Sequence, residues 1–438
     1  FSSAGIKTYV FDELVPTPVL SFAVRYLKTS AGVVVTASHN PKEYNGYKVY
    51  NEKGCQITEE AASAITEKIE NASYFGKYKP NNSLIKVLDN RVMNAFLSEV
   101  EKLSLFDGTA SFAPKIVYTP LNGAGYKPVT EILKRIGVKD LTVVPEQAYP
   151  DGDFPTCPYP NPEEKAALGL AIELAEKTNA DMVLATDPDA DRVGIAVRKK
   201  DGSFRLFNGN ETGAIMENFI LSVKSKNGSM PKNPVIVKTI VTSDMTTDIA
   251  KKYGAEVKEV LTGFKYIGET IDSLEDPEDY VLGMEESYGY LVGRHVRDKD
   301  SVSAAMIIAE AAAYYSSLGK TLIDALEDLY AEFGYYKTAL VSRVYPGEKG
   351  KEEMDALISG LREKPLTEIA GMKINEFKDY SRGIENLPKS NVLSFIGDGI
   401  KVIVRPSGTE PKVKYYLTAK RPTEKESDEI VELLKKNI

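Results

Sequence analysis

Short apolar runs alternate with longer helix-like stretches through most of the chain. The runs are rich in β-branched residues, which favours strands, and four of them are Gly32–Val35, Lys115–Tyr118, Asp181–Ala185 and Val235–Lys238. The predicted helices between such runs include Ile57–Tyr74, Glu163–Lys177, Thr212–Val223, Asp244–Tyr253 and Ser301–Ser317. This alternation predicts an α/β protein with mixed or parallel sheets that are covered by helices.

The rhythm changes at Phe333–Tyr336, after which separated strands and two helices predict a smaller α+β domain. Two breaks are expected earlier, a Pro-rich loop at Pro145–Pro162 and a polar, Gly- and Pro-bearing segment at Lys224–Asn233. The strand–helix cycles look architecturally alike. We therefore expect four domains, at residues 1–90, 91–205, 206–335 and 336–438.

The chain begins with Phe1 and enters the predicted strand Gly5–Phe11 almost directly. A first domain usually starts with Met and some lead-in. We therefore expect that an upstream piece is missing and that the first domain is incomplete at its start.

Composition narrows the class of protein. The 438 residues carry 55 Lys and Arg against 63 Asp and Glu, a net charge of -8, which argues against a general nucleic-acid binder. The two cysteines cannot form a disulfide framework, so a reducing cytoplasm is expected. No apolar run approaches a membrane span and no secretory signal is visible, so no membrane partner is expected.

The loop Thr36–Pro41 follows the first of these strands and places the Ser38 hydroxyl at a strand end. Ser38 could be a nucleophile, a phosphate carrier or a helix cap. A serine-hydrolase elbow fits poorly, because that motif needs glycines two residues before and after the serine, where Thr36 and Asn40 stand. Downstream, Lys48 is a candidate general acid or base if its neighbours depress its pKa.

Three carboxylates follow the buried strand Asp181–Ala185, at Asp187, Asp189 and Asp191. Their alternate spacing directs them to one point, and hard oxygen ligands select Mg²⁺ or Ca²⁺. An EF-hand is excluded, because Arg192 stands where that loop needs Gly. Three carboxylates leave coordination positions open for a phosphoryl oxygen.

Two further loops complete the chemistry. Gly283–Gly289 carries carboxylates and a hydroxyl suited to sugar hydroxyls, with the turn Thr262–Lys265 nearby as a weaker candidate. Arg405–Lys412 combines an arginine, two hydroxyls and exposed backbone N–H groups, as a phosphate cradle does. Together, the four loops offer a hydroxyl, a site for a hard metal ion, a sugar-binding loop and a phosphate-binding loop. This combination indicates phosphoryl transfer on a phosphosugar.

These loops resemble the signature loops of the α-D-phosphohexomutases, in the family's order and over essentially the whole chain. The matching segments are Thr36–Pro41, Asp187–Arg192, Glu285–Ser287 and Arg405–Thr409. The residue sequences of Thr262–Gly268 and Glu285–Leu291 look most like those of the bacterial phosphoglucomutase branch. The resemblance implies three related α/β domains and a smaller α+β domain around one deep cleft.

The resemblance also implies a role for each candidate residue. Ser38 would carry a phosphoryl group and, with Asp187, Asp189 and Asp191, hold one Mg²⁺, while His39, Lys48 and Arg192 would complete the catalytic group. The residues that would bind substrate are Thr262, Gly263, Lys265, Glu285, Ser287, Arg405, Ser407, Gly408 and Thr409.

The implied reaction converts glucose 1-phosphate into glucose 6-phosphate through a phosphoserine enzyme, with glucose 1,6-bisphosphate as intermediate and activator. A monomer or weak homodimer in the cytoplasm is expected. Phosphopentomutase and phosphomannomutase activities stay open, as does a truncated phosphosugar-binding protein without turnover. A metal-dependent phosphatase fits less well, because its nucleophile is usually an aspartate.

Overall fold

The computed structural model describes residues 1–73, 76, 78–347, 349–384, 387–408 and 411–438. Helices pack on several separate sheets, which confirms the predicted α/β class. None of the helices formed by these residues combines the length and hydrophobicity that a bilayer crossing requires.

The first part of the chain forms two small sheets. Its elements are β1 (Thr8–Phe11), α1 (Thr17–Tyr26), β2 (Ala31–Val35), β3 (Tyr47–Asn51), α2 (Glu59–Glu70) and β4 (Ile85–Leu88). Strands β1 and β4 pair in parallel, and β2 and β3 form an antiparallel hairpin. The helix predicted at Ile57–Tyr74 begins two residues later, after an extended Thr58, and its predicted end at Tyr74 lies outside the described residues.

The second part forms a five-stranded sheet in the order β6-β5-β7-β8-β9. Its elements are α3 (Arg91–Glu101), α4 (Thr109–Phe112), β5 (Ile116–Thr119), α5 (Tyr126–Arg135), β6 (Leu141–Val143), α6 (Gly169–Thr178), β7 (Met182–Thr186), β8 (Val193–Arg198) and β9 (Phe204–Phe207). Strands β6, β5 and β7 run parallel to one another. Strand β8 pairs antiparallel with β7, and β9 pairs antiparallel with β8.

The helix predicted at Glu163–Lys177 is too long at its start. The α-helix begins at Gly169, and Lys165–Leu168 forms a 3-10 turn before it. The Asn161 side chain accepts a hydrogen bond from the Glu163 N–H at 3.1 Å, which holds this residue in the preceding loop. Glu163 is therefore free to extend toward Arg192 instead of lying on a helix.

The third part forms a four-stranded sheet in the order β11-β10-β12-β13. Its elements are α7 (Gly209–Asn227), β10 (Val235–Thr239), α8 (Met245–Lys252), β11 (Glu256–Val260), α9 (Phe264–Ser273), β12 (Tyr280–Met284), β13 (Tyr290–Val292), α10 (Ser301–Ser317) and α11 (Leu322–Phe333). The break expected from Lys224 is wrong at its start, because α7 continues to Asn227. It ends where Gly228 adopts a left-handed φ of 71°.

The last part forms an antiparallel sheet in the order β14-β19-β18-β17-β16-β15. Its elements are β14 (Tyr335–Val344), α12 (Gly350–Glu363), β15 (Glu368–Ile369), β16 (Met372–Asp379), β17 (Leu393–Gly397), β18 (Ile400–Pro406), β19 (Lys412–Arg421) and α13 (Glu424–Lys436). This arrangement is the predicted α+β architecture.

Helix α10 lies at the centre of the molecule and matches the predicted Ser301–Ser317. Its many alanines are small enough for α4, α5 and α7 to pack closely around it. Asp300 begins the helix, with its side chain accepting the Val302 N–H at 2.9 Å. The helix thereby joins the second and third parts of the chain.

Glu310 is a buried carboxyl on α10 that contacts the loop after α3. It accepts hydrogen bonds from the Ser104 hydroxyl and, at 2.8 Å, from the Leu105 N–H. Burial raises the pKa of Glu310 to about 7, although these hydrogen bonds act in the opposite direction. A buried titratable group therefore lies at the contact between the second and third parts of the chain.

Candidate functional site

Ser38 lies in the turn of the β2–β3 hairpin with a left-handed φ of 53°, which is uncommon for a residue other than glycine. The Thr36 hydroxyl accepts the Ser38 N–H at 2.8 Å. Gly46 closes the hairpin, where a Cβ would lie 2.3 Å from the Thr36 carbonyl oxygen. The Ser38 Oγ consequently points at the aspartate loop, 3.0 Å from Asp187 Oδ2.

The loop that carries the three aspartates connects β7 to β8. Their candidate ligand oxygens all lie within 4.8 Å of one another, and the side chains are buried. Asp187 Oδ1 accepts the N–H groups of Asp191 and Arg192, both at 3.0 Å. These bonds curl the loop back on itself, so the structure brings together the carboxylates that the spacing predicted.

Other parts of the chain hold the aspartate loop in place. From the start of α1, the Thr17 hydroxyl donates to Asp189 Oδ2 at 3.0 Å. The N–H of Ala124 donates to the Pro188 carbonyl oxygen at 2.7 Å. Gly123 approaches so closely that a Cβ there would lie 2.3 Å from the Pro188 Cα. The loop geometry therefore depends on contacts from two other segments.

The electrostatics of the loop fit a divalent cation. Burial and the two neighbouring aspartates raise the pKa of Asp187 well above its ordinary range. Burial also acts to raise the pKa of Asp191, but Lys299 and Lys48 lower it below the usual value. Asp191 Oδ1 is buried without a hydrogen-bond partner among the described residues. Clustered oxygens with spare acceptor capacity are the donor set that Mg²⁺ or Ca²⁺ takes.

Lys48 reaches the same carboxylates from β3. Its Nζ lies 2.9 Å from Asp189 Oδ2 and 3.2 Å from Asp191 Oδ2. Burial favours the neutral amine, but the two aspartates raise the pKa of Lys48 well above its ordinary value. The depressed pKa that acid–base work would require of Lys48 is therefore not found, and the side chain acts as a buried cation.

His39 is placed beside the Ser38 hydroxyl. Its Nδ1 lies 3.4 Å from the Ser38 Oγ. Burial, followed by the nearby Arg192 guanidinium, lowers the pKa of His39 to about 4. The imidazole is therefore neutral at pH 7, whereas the nearby Lys48 is charged.

Arg192 connects the aspartate loop to the sugar loop. Its backbone forms an isolated bridge with Gly289, and Val193 donates its N–H to the Tyr288 carbonyl oxygen at 3.1 Å. The Arg192 side chain donates to Glu163 Oε1 at 3.2 Å. The surrounding carboxylates raise the pKa of Arg192 further, despite its burial, so the guanidinium is a permanent cation.

Glu285 begins the loop after β12 and ties it to the turn before α9. Its Oε1 accepts the Gly263 N–H at 3.0 Å. Gly263 has a φ of 120°, which favours glycine. Thr262 and Ser287 are partly exposed at this junction, so the two candidate loops form one surface.

Lys265 lies at the edge of this group. Its ammonium is 3.5 Å from Glu59 Oε1 and 5.1 Å from the centre of the Tyr266 ring. The structure therefore places Lys265 against the start of α2 rather than beside the aspartate cluster.

The candidate phosphate loop follows β18. Arg405 lies opposite Lys414 in the β18–β19 pairing, and Ser407 donates its N–H to the Lys412 carbonyl oxygen at 2.7 Å. Gly408 has open space where a Cβ would stand. Thr409 lies outside the described residues. The loop presents cations on an accessible turn, as anion binding requires.

Several buried charges near the cleft were not found by sequence reasoning. Lys299 lies 3.2 Å from both Asp191 Oδ2 and Asp298 Oδ1, and the Tyr50 hydroxyl donates to Asp298 at 2.6 Å. Lys299 belongs to the charged run Arg297–Asp300, all of which is buried. Such a run is usually solvated, so only its position directly before the Ala-rich helix signalled a special role.

Comparison with known proteins agrees with this geometry. Residues 1–75, 94–202 and 208–333 match alpha/beta/alpha domains I, II and III of phosphoglucomutase/phosphomannomutase. The phosphoglucomutase of Staphylococcus haemolyticus is 36% identical over 434 residues, covering 95% of this chain and 78% of that protein. The chain belongs to the phosphoglucomutase/phosphomannomutase family. This enzyme is therefore a phosphosugar mutase of the α-D-phosphohexomutase superfamily, an isomerase that transfers phosphoryl groups.

Solved structures share the fold of this mutase. A phosphoglucomutase/phosphomannomutase family protein from Burkholderia thailandensis has a TM-score of 0.73 at 19% identity, covering 100% of this chain and 83% of that one. The phosphoglucomutase parafusin from Paramecium, in an open form, has a TM-score of 0.72 at 20% identity, covering 97% and 81%.

Proposed function

We propose that this mutase interconverts α-D-glucose 1-phosphate and glucose 6-phosphate through phosphorylated Ser38. The observation that carries the proposal is the Ser38 Oγ, 3.0 Å from Asp187 Oδ2 and 3.2 Å from Asp189 Oδ1. This position would bring a phosphoryl group on Ser38 next to a cation held by the aspartates. The names of the Staphylococcus relatives support glucose as the sugar.

Mg²⁺ is the proposed cation, held by Asp187, Asp189, Asp191 and an oxygen on Ser38. When bound, it neutralises charge on the phosphoryl group during transfer. The supporting observation is that burial, together with repulsion from Asp189 and Asp191, raises the pKa of Asp187, a cost that a bound cation would relieve.

In the first half-reaction, the P–O bond to the Ser38 Oγ breaks and a P–O bond forms to the sugar 6-hydroxyl. The hydroxyl loses a proton and the Ser38 Oγ gains one. We assign this transfer to His39, because its neutral imidazole lies 3.4 Å from the Ser38 Oγ. Lys48 and Arg192 remain cationic and face the developing negative charge.

The product of this step is glucose 1,6-bisphosphate, which must turn around because the phosphate loop and the aspartate cluster lie on different parts of the chain. Ser38 then takes the 1-phosphate and releases glucose 6-phosphate. Added glucose 1,6-bisphosphate would activate enzyme that had lost its phosphoryl group. The residues proposed to hold the sugar and its second phosphate are Thr262, Gly263, Lys265, Glu285, Ser287, Arg405, Ser407, Gly408 and Thr409.

The proposed domains are residues 1–90, 91–205, 206–335 and 336–438, each of which supplies one of these loops. We place the enzyme in the cytoplasm as a monomer or weak homodimer, consistent with two cysteines that are both free and buried.

Phosphorus NMR tests the reaction. The protein is mixed with glucose 1-phosphate, Mg²⁺ and a catalytic amount of glucose 1,6-bisphosphate, and the signal of glucose 6-phosphate is followed. Ser38→Ala should abolish conversion, while the exposed Ser63→Ala should leave it unchanged. Folded protein that converts ribose 1-phosphate or mannose 1-phosphate but not glucose 1-phosphate would contradict the proposed sugar. Full conversion by Ser38→Ala would contradict the phosphoserine.

A further inference from the structure

A second pocket lies at the opposite end of strand β12 from the sugar loop. It has a volume of about 390 Å³ and lies between the end of α3, the end of α7, the start of β12 and the turn after β13. We call it the α3–β13 pocket. Glu285 follows the carboxyl end of β12, whereas Tyr280, which lines this pocket, begins that strand. The pocket is therefore separated from the sugar loop by the length of β12.

The charges that line the α3–β13 pocket do not balance. The Lys102 ammonium lies 2.6 Å from Glu99 Oε1, and the Arg294 guanidinium contacts Glu278. Both carboxylates that line the pocket are therefore already paired with cations from the same wall. Lys224, from the last turn of α7, also lines the pocket and is the cation left over.

Lys224 is half-buried, and no carboxylate of the described chain lies within ion-pair distance of its Nζ. Burial lowers the pKa of Lys224, and no neighbouring charge counteracts this effect. A partly desolvated ammonium without a counter-ion is unfavourable in the free protein. An anion that entered the pocket would remove this cost.

His295 is a second pocket residue with unused hydrogen-bonding capacity. Its Nε2 lies 2.8 Å from Asp300 Oδ2, and its buried Nδ1 has no partner among the described residues. When the neutral ring donates its Nε2 proton to the carboxylate, Nδ1 presents a lone pair. This nitrogen is closed to solvent, so the Lys224 ammonium is the group that a ligand in the pocket would contact, and it needs an anionic oxygen.

We propose that the α3–β13 pocket binds a small oxyanion, either inorganic phosphate or the phosphoryl group of a phosphate ester. Lys224 is its principal charge partner. The pocket volume is within the range of small-molecule sites. This binding is independent of the proposed sugar reaction, because none of its residues lies in the catalytic cleft.

Calorimetric titration of the whole chain tests the proposal, with inorganic phosphate and glycerol 3-phosphate as the two probes. Arg405→Ala serves as the background in which phosphate binding in the cleft is weakened. In that background, Lys224→Met should weaken binding of at least one probe about tenfold or more. Lys226→Met, a neighbouring cation on the same helix, should leave binding unchanged.

Lys224→Arg keeps the charge and should retain binding, which separates loss of the ammonium from misfolding. Binding of inorganic phosphate alone would identify the free ion as ligand, and a requirement for glycerol 3-phosphate would identify a phosphate ester. The proposal is wrong if neither probe binds the Arg405→Ala protein at concentrations that saturate the wild-type cleft. It is also wrong if Lys224→Met and Lys226→Met bind both probes equally well.

Discussion

Replacement of Lys299 by methionine removes a buried cation while keeping a side chain of similar length. The Lys299 ammonium lies 3.2 Å from Asp191 Oδ2 and 3.2 Å from Asp298 Oδ1, and the side chain is only 11% exposed. In Lys299→Met, both carboxylates stay buried and lose one counter-charge. We therefore expect a loss of stability and, separately, a loss of activity.

The expected magnitude follows from the partners that remain. Breaking a buried ion pair by removing one member costs about 3–5 kcal/mol. Asp191 keeps Lys48 at 3.2 Å, and Asp298 keeps the Tyr50 hydroxyl at 2.6 Å, so the low end of this range applies. We expect Lys299→Met to lower the free energy of unfolding by about 3 kcal/mol.

The activity of Lys299→Met should fall even where the protein remains fully folded. A cation beside Asp191 contributes to the field around the phosphoryl group, and losing one such group typically lowers kcat by about 10²-fold. The mutase rate, measured well below the unfolding temperature, should therefore drop by about this factor while KM changes little.

Urea unfolding followed by circular dichroism measures the stability effect, and the phosphorus NMR assay measures the rate. Lys42→Met is the matched control, because the Lys42–Asp153 pair has the same chemistry at 3.0 Å but is exposed on both sides. The control should cost less than about 1 kcal/mol. Equal losses of unfolding free energy in the two variants would refute the argument from burial.

Three further changes test other parts of the structure. Gly123→Ala places a Cβ 2.3 Å from the Pro188 Cα and should weaken Mg²⁺ binding about tenfold by calorimetry, whereas Gly152→Ala, which meets nothing within 4 Å, should not. Because Glu310 has a pKa of about 7 when folded and an ordinary value of 4.5, the folded state binds its proton more tightly, and stability should fall by up to about 3 kcal/mol as pH rises through this window. In Glu310→Gln, the unfolding temperature should decline less steeply as pH rises. An unchanged dependence on pH would contradict the assignment of this effect to Glu310. Glu217→Met should raise the free energy of unfolding by about 1–3 kcal/mol, because both carboxyl oxygens are buried without hydrogen-bond partners in the described structure; a lower free energy of unfolding would count against this.

The sequence by itself determined the α/β class, the central helix and the loop of three aspartates. These features depend on neighbours along the chain: β-branched runs favour strands, and Asp300 caps Ser301–Ser317 from the adjacent position. The curl of the aspartate loop is likewise local, since Asp187 accepts hydrogen bonds from two residues just after it. The error at Glu163 arose because its side chain pairs with Arg192, which is distant in the sequence.

Only the tertiary structure decided the charge state of the site. Lys48 carries the same sequence signal whether its pKa rises or falls, and it rises because folding brings two aspartates within 3.2 Å of its ammonium. Lys299 lies in a charged run that resembles a solvated surface, yet folding buries it beside Asp191. The physical reason is that a local pattern specifies backbone geometry, whereas burial and Coulomb interactions depend on groups far apart in the chain.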